Sequence, residues 1–328
     1  MVSDDKNITS HNYGNKLIDK PQSKLEFSYL ENQKSQGYIN LNFARMAQLK
    51  DLKDRMIRKL NEVYPEKESL SLVQILFSSI AGIEKKDVIL DPARMIDDEL
   101  EAELSGKMAE LMLYKPVQYV TGKAFFYGFE LEVNTSVMNP RPETEELVKW
   151  VIDDHAEIKG ISILDIGTGS GCIPVALGSL LKVVNLAAID ISTEAISVAR
   201  RNAEKYDVPV NFFAIDIFDE NQWDRLGKFD VVISNPPYVR ESEKRMMRPN
   251  VLNYEPASAL FVPDADPLVF YRAICRFSKF HLNNNGKIYF EINEALGEDM
   301  LQMLVMQGFS DAVLRKDMQG KDRMVRCG

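Results

Sequence analysis

The 328-residue sequence predicts an α/β fold: an open parallel sheet with helices on both faces, preceded by a small all-α bundle and joined to it by a β-hairpin. Three observations predict it. From Ile161 onward the apolar runs ISILDI, VVNLAAID, VNFFAI, FDVVIS and GKIYFEI read as buried strands, with segments of helical spacing such as EAISVARRNAEKY between the first four. Repeated β-α-β units of this kind make parallel sheets. Upstream, apolar residues recur instead at steps of three and four, the spacing of amphipathic helices. Finally, the first strand runs into GTGSG (Gly167 to Gly171) and then into a helix. That puts a glycine turn at the carboxyl end of a strand, where folds of this class bind ligands.

Taken in order, residues 1–45 are polar, aperiodic and rich in Asn, Lys, Ser and Asp, the composition of a disordered leader. The change of character at Met46 makes it a candidate translation start. Leu49, Leu52, Met56, Leu60 and Val63 form one helical stripe that stops before Pro65. SLSLVQILFSSIAG predicts a second helix with Gly82 as its stop, and Leu100, Leu104, Met108 and Leu111 mark a third that ends before Pro116. These three helices define a domain over residues 46–115. Between Gln118 and Val133 aromatic and β-branched residues interleave with Gly122 and Gly128, which predicts a hairpin linker over 116–136. The α/β domain then occupies 137–328.

Composition narrows the function. No apolar run approaches the roughly 20 residues needed to span a bilayer, so a cytoplasmic protein without a membrane partner is expected. Cys172, Cys275 and Cys327 are scattered, as are His11, His155 and His281, and neither set has metal-ligand spacing. No metal is expected. A formal charge of −9 argues against direct nucleic-acid binding, because that affinity comes mainly from Lys and Arg on phosphates. Nothing demands more than a monomer.

The chemistry lies at the strand ends. Gly167, Gly169 and Gly171, with Thr168 and Ser170 between them, let the backbone approach a ligand closely. Their G-x-G-x-G spacing suits an adenosyl group lacking a pyrophosphate; a purely structural turn explains it equally well. Asp190 closes the second strand, where an acid can hold a ribose diol through two charge-assisted hydrogen bonds. The competing reading is a helix cap, a task Ser192 also suits. Asp216 is expected to end the third strand and accept from an adenine amino group, with Ile217 packing on the ring; a plain loop Asp is the alternative.

The fourth strand must stop at Asn235-Pro236-Pro237-Tyr238, because proline cannot donate to a sheet ladder. The Asn235 side-chain oxygen and the Pro236 carbonyl are two acceptors that can take both N–H bonds of a planar –NH₂ group. Tyr238 can stack on that group's face, while Pro236 and Pro237 hold the acceptors pre-aimed. Such a corner orients a poorly nucleophilic nitrogen and stabilises the positive charge that develops as it attacks a methyl sulfonium. No Ser, Cys or His nucleophile is required.

Together these motifs resemble the class I S-adenosylmethionine-dependent methyltransferases, whose sheet is Rossmann-like, and N-P-P-Y narrows the acceptor to an amide or exocyclic amino nitrogen. Pro140-Arg141-Pro142-Glu143-Thr144-Glu145 is similar to the P-R-P-[DE]-T-E segment of the HemK/PrmC family, the N5-glutamine methyltransferases of peptide chain release factors. PVQYVTGKAFFYGFELEV before it and NYEPASALF (Asn253 to Phe261) after it resemble further segments of that family. The resemblance covers residues 46–328. It implies a helical bundle that helps grip the release factor and methylation of the glutamine in a Gly-Gly-Gln loop. It also implies a cofactor site of Gly167 to Gly171, Asp190 and Ile217, and a glutamine site of Asn235 to Tyr238. Asn253 stands where the family often carries Arg, and Ile217 where relatives can carry an aromatic. A helix N-terminus favours acids, so Arg141 can simply pair with one such as Glu143. Alternative readings are an adenine-amino methyltransferase of DNA or RNA, a ribosomal-protein glutamine methyltransferase, and a binding module that holds the cofactor without catalysis.

Overall fold

The computed structural model describes residues 47–328; the leader expected over residues 1–45 and the start at Met46 lie outside the described residues. The described residues open with β1 (Ala47–Gln48), α1 (Leu49–Leu60), α2 (Glu66–Ala81), α3 (Lys85–Leu90), β2 (Met95–Ile96), α4 (Asp98–Met112) and α5 (Val117–Thr121). The predicted stripe packs as expected, with Leu49, Leu52, Met56 and Leu60 buried against Val73, Leu76 and Phe77 of α2 and Leu104 of α4. Val63 lies past the end of α1 and is only half-buried. Gly82 stops α2 in the left-handed conformation at φ 62°, and the Asp97 carboxylate caps α4 by accepting from the Leu100 N–H.

Residues 47–115 hold four helices where three were expected, and a fifth lies in the segment expected as the hairpin. The predicted hairpin is correspondingly shorter, because its first residues coil into α5. Pro116 starts that helix, the Thr121 hydroxyl donates back to the Val117 carbonyl at 2.9 Å, and Gly122 ends it at φ 72°. The hairpin proper is β3 (Lys123–Phe126) with β4 (Phe129–Glu132). Tyr127 and Gly128 between them both have positive φ, 50° and 86°, as a two-residue hairpin turn requires.

The rest of the chain runs α6 (Pro142–His155), β5 (Ile161–Ile166), α7 (Cys172–Leu180), β6 (Val183–Asp190), α8 (Thr193–Lys205), β7 (Asn211–Ala214), β8 (Phe229–Ser234), β9 (Val239–Arg240) and α9 (Pro249–Leu252). It continues through β10 (Phe261–Val262), α10 (Val269–His281), β11 (Leu282–Glu291), α11 (Gly297–Met306), β12 (Val313–Lys316) and β13 (Asp322–Cys327). Seven strands form one sheet in the order β12-β13-β11-β8-β5-β6-β7. This is the Rossmann-like α/β architecture, but the sheet is mixed rather than all parallel. β13 runs antiparallel to both β11 and β12.

Alternation along each strand sends its side chains to opposite layers. Ile163, Val231 and Tyr289 pack with α6 and α7, whereas Leu164, Val232 and Ile288 pack with α10 and α11. β5, β6, β7 and β8 are mutually parallel, so their carboxyl ends lie along one edge of the sheet. There the predicted site residues fall. One boundary differs: the third strand ends at Ala214, and Asp216 belongs to the turn beyond it.

Candidate active site

The glycine turn links β5 to α7. Gly167, Gly169 and Gly171 have φ of 77°, 53° and 77°, a region costly for residues with a Cβ. Gly171 has a second reason to be glycine, since a Cβ there would sit 2.9 Å from the Ala199 Cβ of α8. The close approach of α8 therefore requires a glycine here as well.

Asp190, at the end of β6, ties the turn down. Its Oδ2 accepts from the Gly169 N–H and its Oδ1 from the Ser192 N–H, both at 2.9 Å. Burial pushes this carboxyl's pKa up, and the backbone donors work against that shift. Ser192 is the cap of α8, accepting from the Ala195 N–H at 3.1 Å. Asp190 is therefore not needed as a cap, and each of its oxygens keeps a lone pair for another donor. Asp216 spends Oδ1 on the Phe218 N–H at 2.9 Å, and Phe218 packs on Phe270 with ring centroids 4.9 Å apart.

These groups line one cavity of about 460 Å³, within the range of small-molecule sites. Its walls include Gly167, Thr168, Gly169 and Ser170 of the turn, Asp190, Asp216 and Ile217, and Asn235, Pro236 and Pro237 of the corner. Gly171 is not on the wall. The remaining sequence-predicted residue, Tyr238, lines a smaller cavity of about 150 Å³. The larger space fits an adenosyl methyl donor. Asp190 offers free carboxylate lone pairs, and Ile191, Ile217 and Phe270 supply apolar faces.

Asn235 and Pro236 stand between the two cavities and line both. The Asn235 Nδ2 donates to the Thr144 Oγ1 at 3.0 Å, the Thr144 hydroxyl donates to Glu291 Oε2 at 2.6 Å, and the Tyr238 hydroxyl donates to Glu291 Oε1 at 3.0 Å. Asn235 Oδ1 is buried without a partner. Glu291, at the end of β11, is fully buried. Burial pushes its pKa up, while the two hydroxyl donors and the Arg323 charge pull it back.

Sequence reading missed Thr144 and Glu291 as site residues. Thr144 stood inside a quoted motif, but its partner lies on a strand far along the chain, and only the packing of α6 against β11 brings the two together. Arg141 does pair with an acid, but with Glu255 of the NYEPASALF segment rather than with its helix neighbour Glu143. Both Glu255 oxygens accept from Nη2 at 2.7 Å. Asn253, the departure noted above, is exposed.

The arrangement has no nucleophilic triad, and no cluster of His, Cys, Asp and Glu able to hold a metal occurs among the described residues. No helix among them is long and apolar enough to cross a membrane. Residues 145–253 match the family described as Methyltransferase small domain. A release factor glutamine methyltransferase of Flavobacterium psychrophilum is 38% identical over 85% of this chain and 98% of its own length. One from Bacteroides thetaiotaomicron is 39% identical over 82% and 95%, and one from Streptococcus pneumoniae 35% over 86% and 97%. With relatives this similar along nearly their whole length, and with a methyltransferase sheet presenting N-P-P-Y to a nucleoside-sized cavity, the chain belongs to the release factor glutamine methyltransferase family.

Proposed function

We propose that this protein transfers a methyl group from S-adenosylmethionine to the side-chain amide nitrogen of the glutamine in the Gly-Gly-Gln motif of peptide chain release factors. The observation that carries the reading is the corner between the cavities. Asn235 Oδ1 and the Pro236 carbonyl accept no hydrogen bond within the described residues, and both belong to residues lining each cavity. A glutamine amide entering through the smaller cavity gives one N–H to each acceptor. Its nitrogen then points into the larger cavity.

S-adenosylmethionine supplies an electrophilic methyl on a positively charged sulfur. The chain's own residues do the rest. The glycine turn and Asp190 hold the nucleoside end, with Asp190 accepting from the ribose hydroxyls, while Asp216 and Ile217 receive the adenine. Asn235 and Pro236 fix the amide plane and favour the positive charge that grows on nitrogen in the transition state. Pro237 keeps the turn rigid. Tyr238, its hydroxyl anchored on Glu291, offers its ring to the amide face. As the new N–C bond forms, the S–C bond breaks, its electron pair stays on the sulfur of the leaving S-adenosylhomocysteine, and the nitrogen releases one proton to solvent.

The helices before residue 116 serve as the grip on the release factor; α3 turns Ile89 and Leu90 to solvent, at 70% and 79% exposure. Exposed apolar side chains of this kind suit a protein partner. The work is done where translation occurs, in the cytoplasm.

The test uses purified release factor and, separately, nuclease-treated cell extract, each with labelled S-adenosylmethionine. Peptide mass spectrometry is expected to find one methyl on the Gly-Gly-Gln glutamine, with label surviving nuclease. Label that vanishes with nuclease would instead mark an adenine-amino methyltransferase and overturn the proposal.

A further inference from the structure

We propose that Thr144 and Glu291 are positioning residues that set which end of the Asn235 amide faces the substrate. The inference rests on the methyl-transfer reading above and adds to it the origin of the corner's polarity.

An Asn side chain presents oxygen on one side and NH₂ on the other, and a half-turn about its last bond exchanges them. A corner that must accept two N–H bonds works in only one of those orientations. With NH₂ turned to the cavity instead, a donor would meet a donor and the amide would be repelled. Neither Pro236 nor Pro237 can correct this, because they fix the backbone and not the side-chain torsion.

The correction comes from behind. The Glu291 carboxylate is fully buried at the end of β11 and accepts from two hydroxyls, those of Thr144 and Tyr238. Glu291 Oε2 accepts from Thr144, so the single Thr144 proton is committed to Glu291. The Thr144 oxygen is left with lone pairs alone toward Asn235 and can bond only an N–H from it. That contact is the 3.0 Å bond from Nδ2. Oδ1 is thereby turned away from Thr144, where it is buried with no protein partner. Each link dictates the next: accepting carboxylate, donating hydroxyl, amide NH₂ toward Thr144, amide oxygen away from it. The three residues come from the first turn of α6, the end of β11 and the residue after β8, so the order depends on the assembled fold.

The experiment compares Thr144→Val, Thr144→Ser and Glu291→Gln in the full-length protein. Removing the hydroxyl while keeping the shape should lower kcat for release factor methylation about tenfold or more, in the manner of other mispositioned transition-state groups. The dissociation constant for S-adenosylmethionine should stay within about twofold, because the amide acts on the acceptor and not on the donor. Thr144→Ser, which keeps the donor, should return kcat to near the wild-type value. Glu291→Gln, whose amide can also donate, should lose kcat like Thr144→Val.

A second readout needs no substrate. In asparagine-labelled protein, the Asn235 side-chain amide, identified by its loss in Asn235→Ala, should exchange slowly with water in the wild type and in Thr144→Ser. It should exchange quickly in Thr144→Val. Slow exchange together with an inactive wild type would sink the methyl-transfer reading and leave the polarity relay standing. The relay is overturned if Asn235 exchanges alike in wild type and Thr144→Val. It is equally overturned if Thr144→Val keeps wild-type kcat, or if Thr144→Ser is as impaired as Thr144→Val.

Discussion

Asp190→Asn separates a ligand-binding role from a structural one. In the wild type both carboxylate oxygens already accept a backbone N–H, from Gly169 and Ser192 at 2.9 Å each. The amide has one oxygen and one NH₂, so whichever way it turns, one of those backbone donors faces another donor. The remaining oxygen is also a weaker acceptor for a ribose hydroxyl, and the second ribose bond has no acceptor at all. A hydrogen bond to a charged group contributes about 1.5–3 kcal/mol. Losing one therefore predicts a rise in the cofactor dissociation constant of roughly 10- to 100-fold. The folded chain without ligand should respond differently. Burial penalises the charged form of Asp190, so the neutral amide removes that penalty while losing a backbone bond, and stability should change by no more than about 1 kcal/mol. Calorimetric titration of S-adenosylmethionine reads the first quantity, and urea unfolding of the apo protein the second. Unchanged cofactor affinity, or an affinity loss matched by an equal loss of apo stability, would refute the assignment.

Asn235→Ala should reverse that emphasis, lowering kcat about 100-fold while the cofactor dissociation constant moves little, as steady-state kinetics and titration can show. Arg141→Ala strands the Glu255 carboxylate, whose side chain is 1% exposed against 31% for Arg141. Because the arginine side of the pair reaches water, the cost should fall at or below the low end for a broken buried pair, about 2–3 kcal/mol in urea unfolding. Arg141→Ala combined with Glu255→Gln should recover part of it. Asp165 gives a pH signature. Burial pushes its carboxyl from the ordinary 3.8 up to about 7. A raised folded-state pKa means that its stabilising share is complete below about pH 4 and is lost as pH rises through 7. Relative to Asp165→Asn, the wild type should therefore weaken across that window by on the order of a few kcal/mol, read from unfolding midpoints at stepped pH.

The parts of this protein that were legible in its sequence are those written in consecutive residues. Proline chemistry alone places the end of β8 beside Asn235, and glycine conformations alone require a turn at Gly167 to Gly171. The burial of Leu49, Leu52, Met56 and Leu60 follows from spacing. What escaped the sequence depends on distant pairing. β12 and β13, VLRK and DRMVRC, carry charges at positions that blur strand alternation. β13 becomes a strand because β11 offers a partner edge, and β12 because β13 offers the next one. α5 was hidden because one turn of helix between Pro116 and Gly122 leaves no periodicity to detect. Asp216 was placed on a strand because FFAI is apolar throughout, although ladder pairing stops at Ala214. Glu291 looked like the polar end of a strand, and nothing local joins it to Thr144. The same holds for Arg141 and Glu255, each quoted in a separate motif and each bearing a charge whose partner was a hundred residues away.

The proposed function depends on aim: two oxygen acceptors at the Asn235-Pro236 corner are to hold a glutamine amide against the methyl donor. A crystal structure with S-adenosylhomocysteine and a Gly-Gly-Gln peptide measures it directly. The predicted result is an amide nitrogen about 2.7–3.2 Å from both Asn235 Oδ1 and the Pro236 carbonyl, facing the cofactor sulfur. A corner rotated away from the sulfur, or a glutamine held elsewhere, would contradict it.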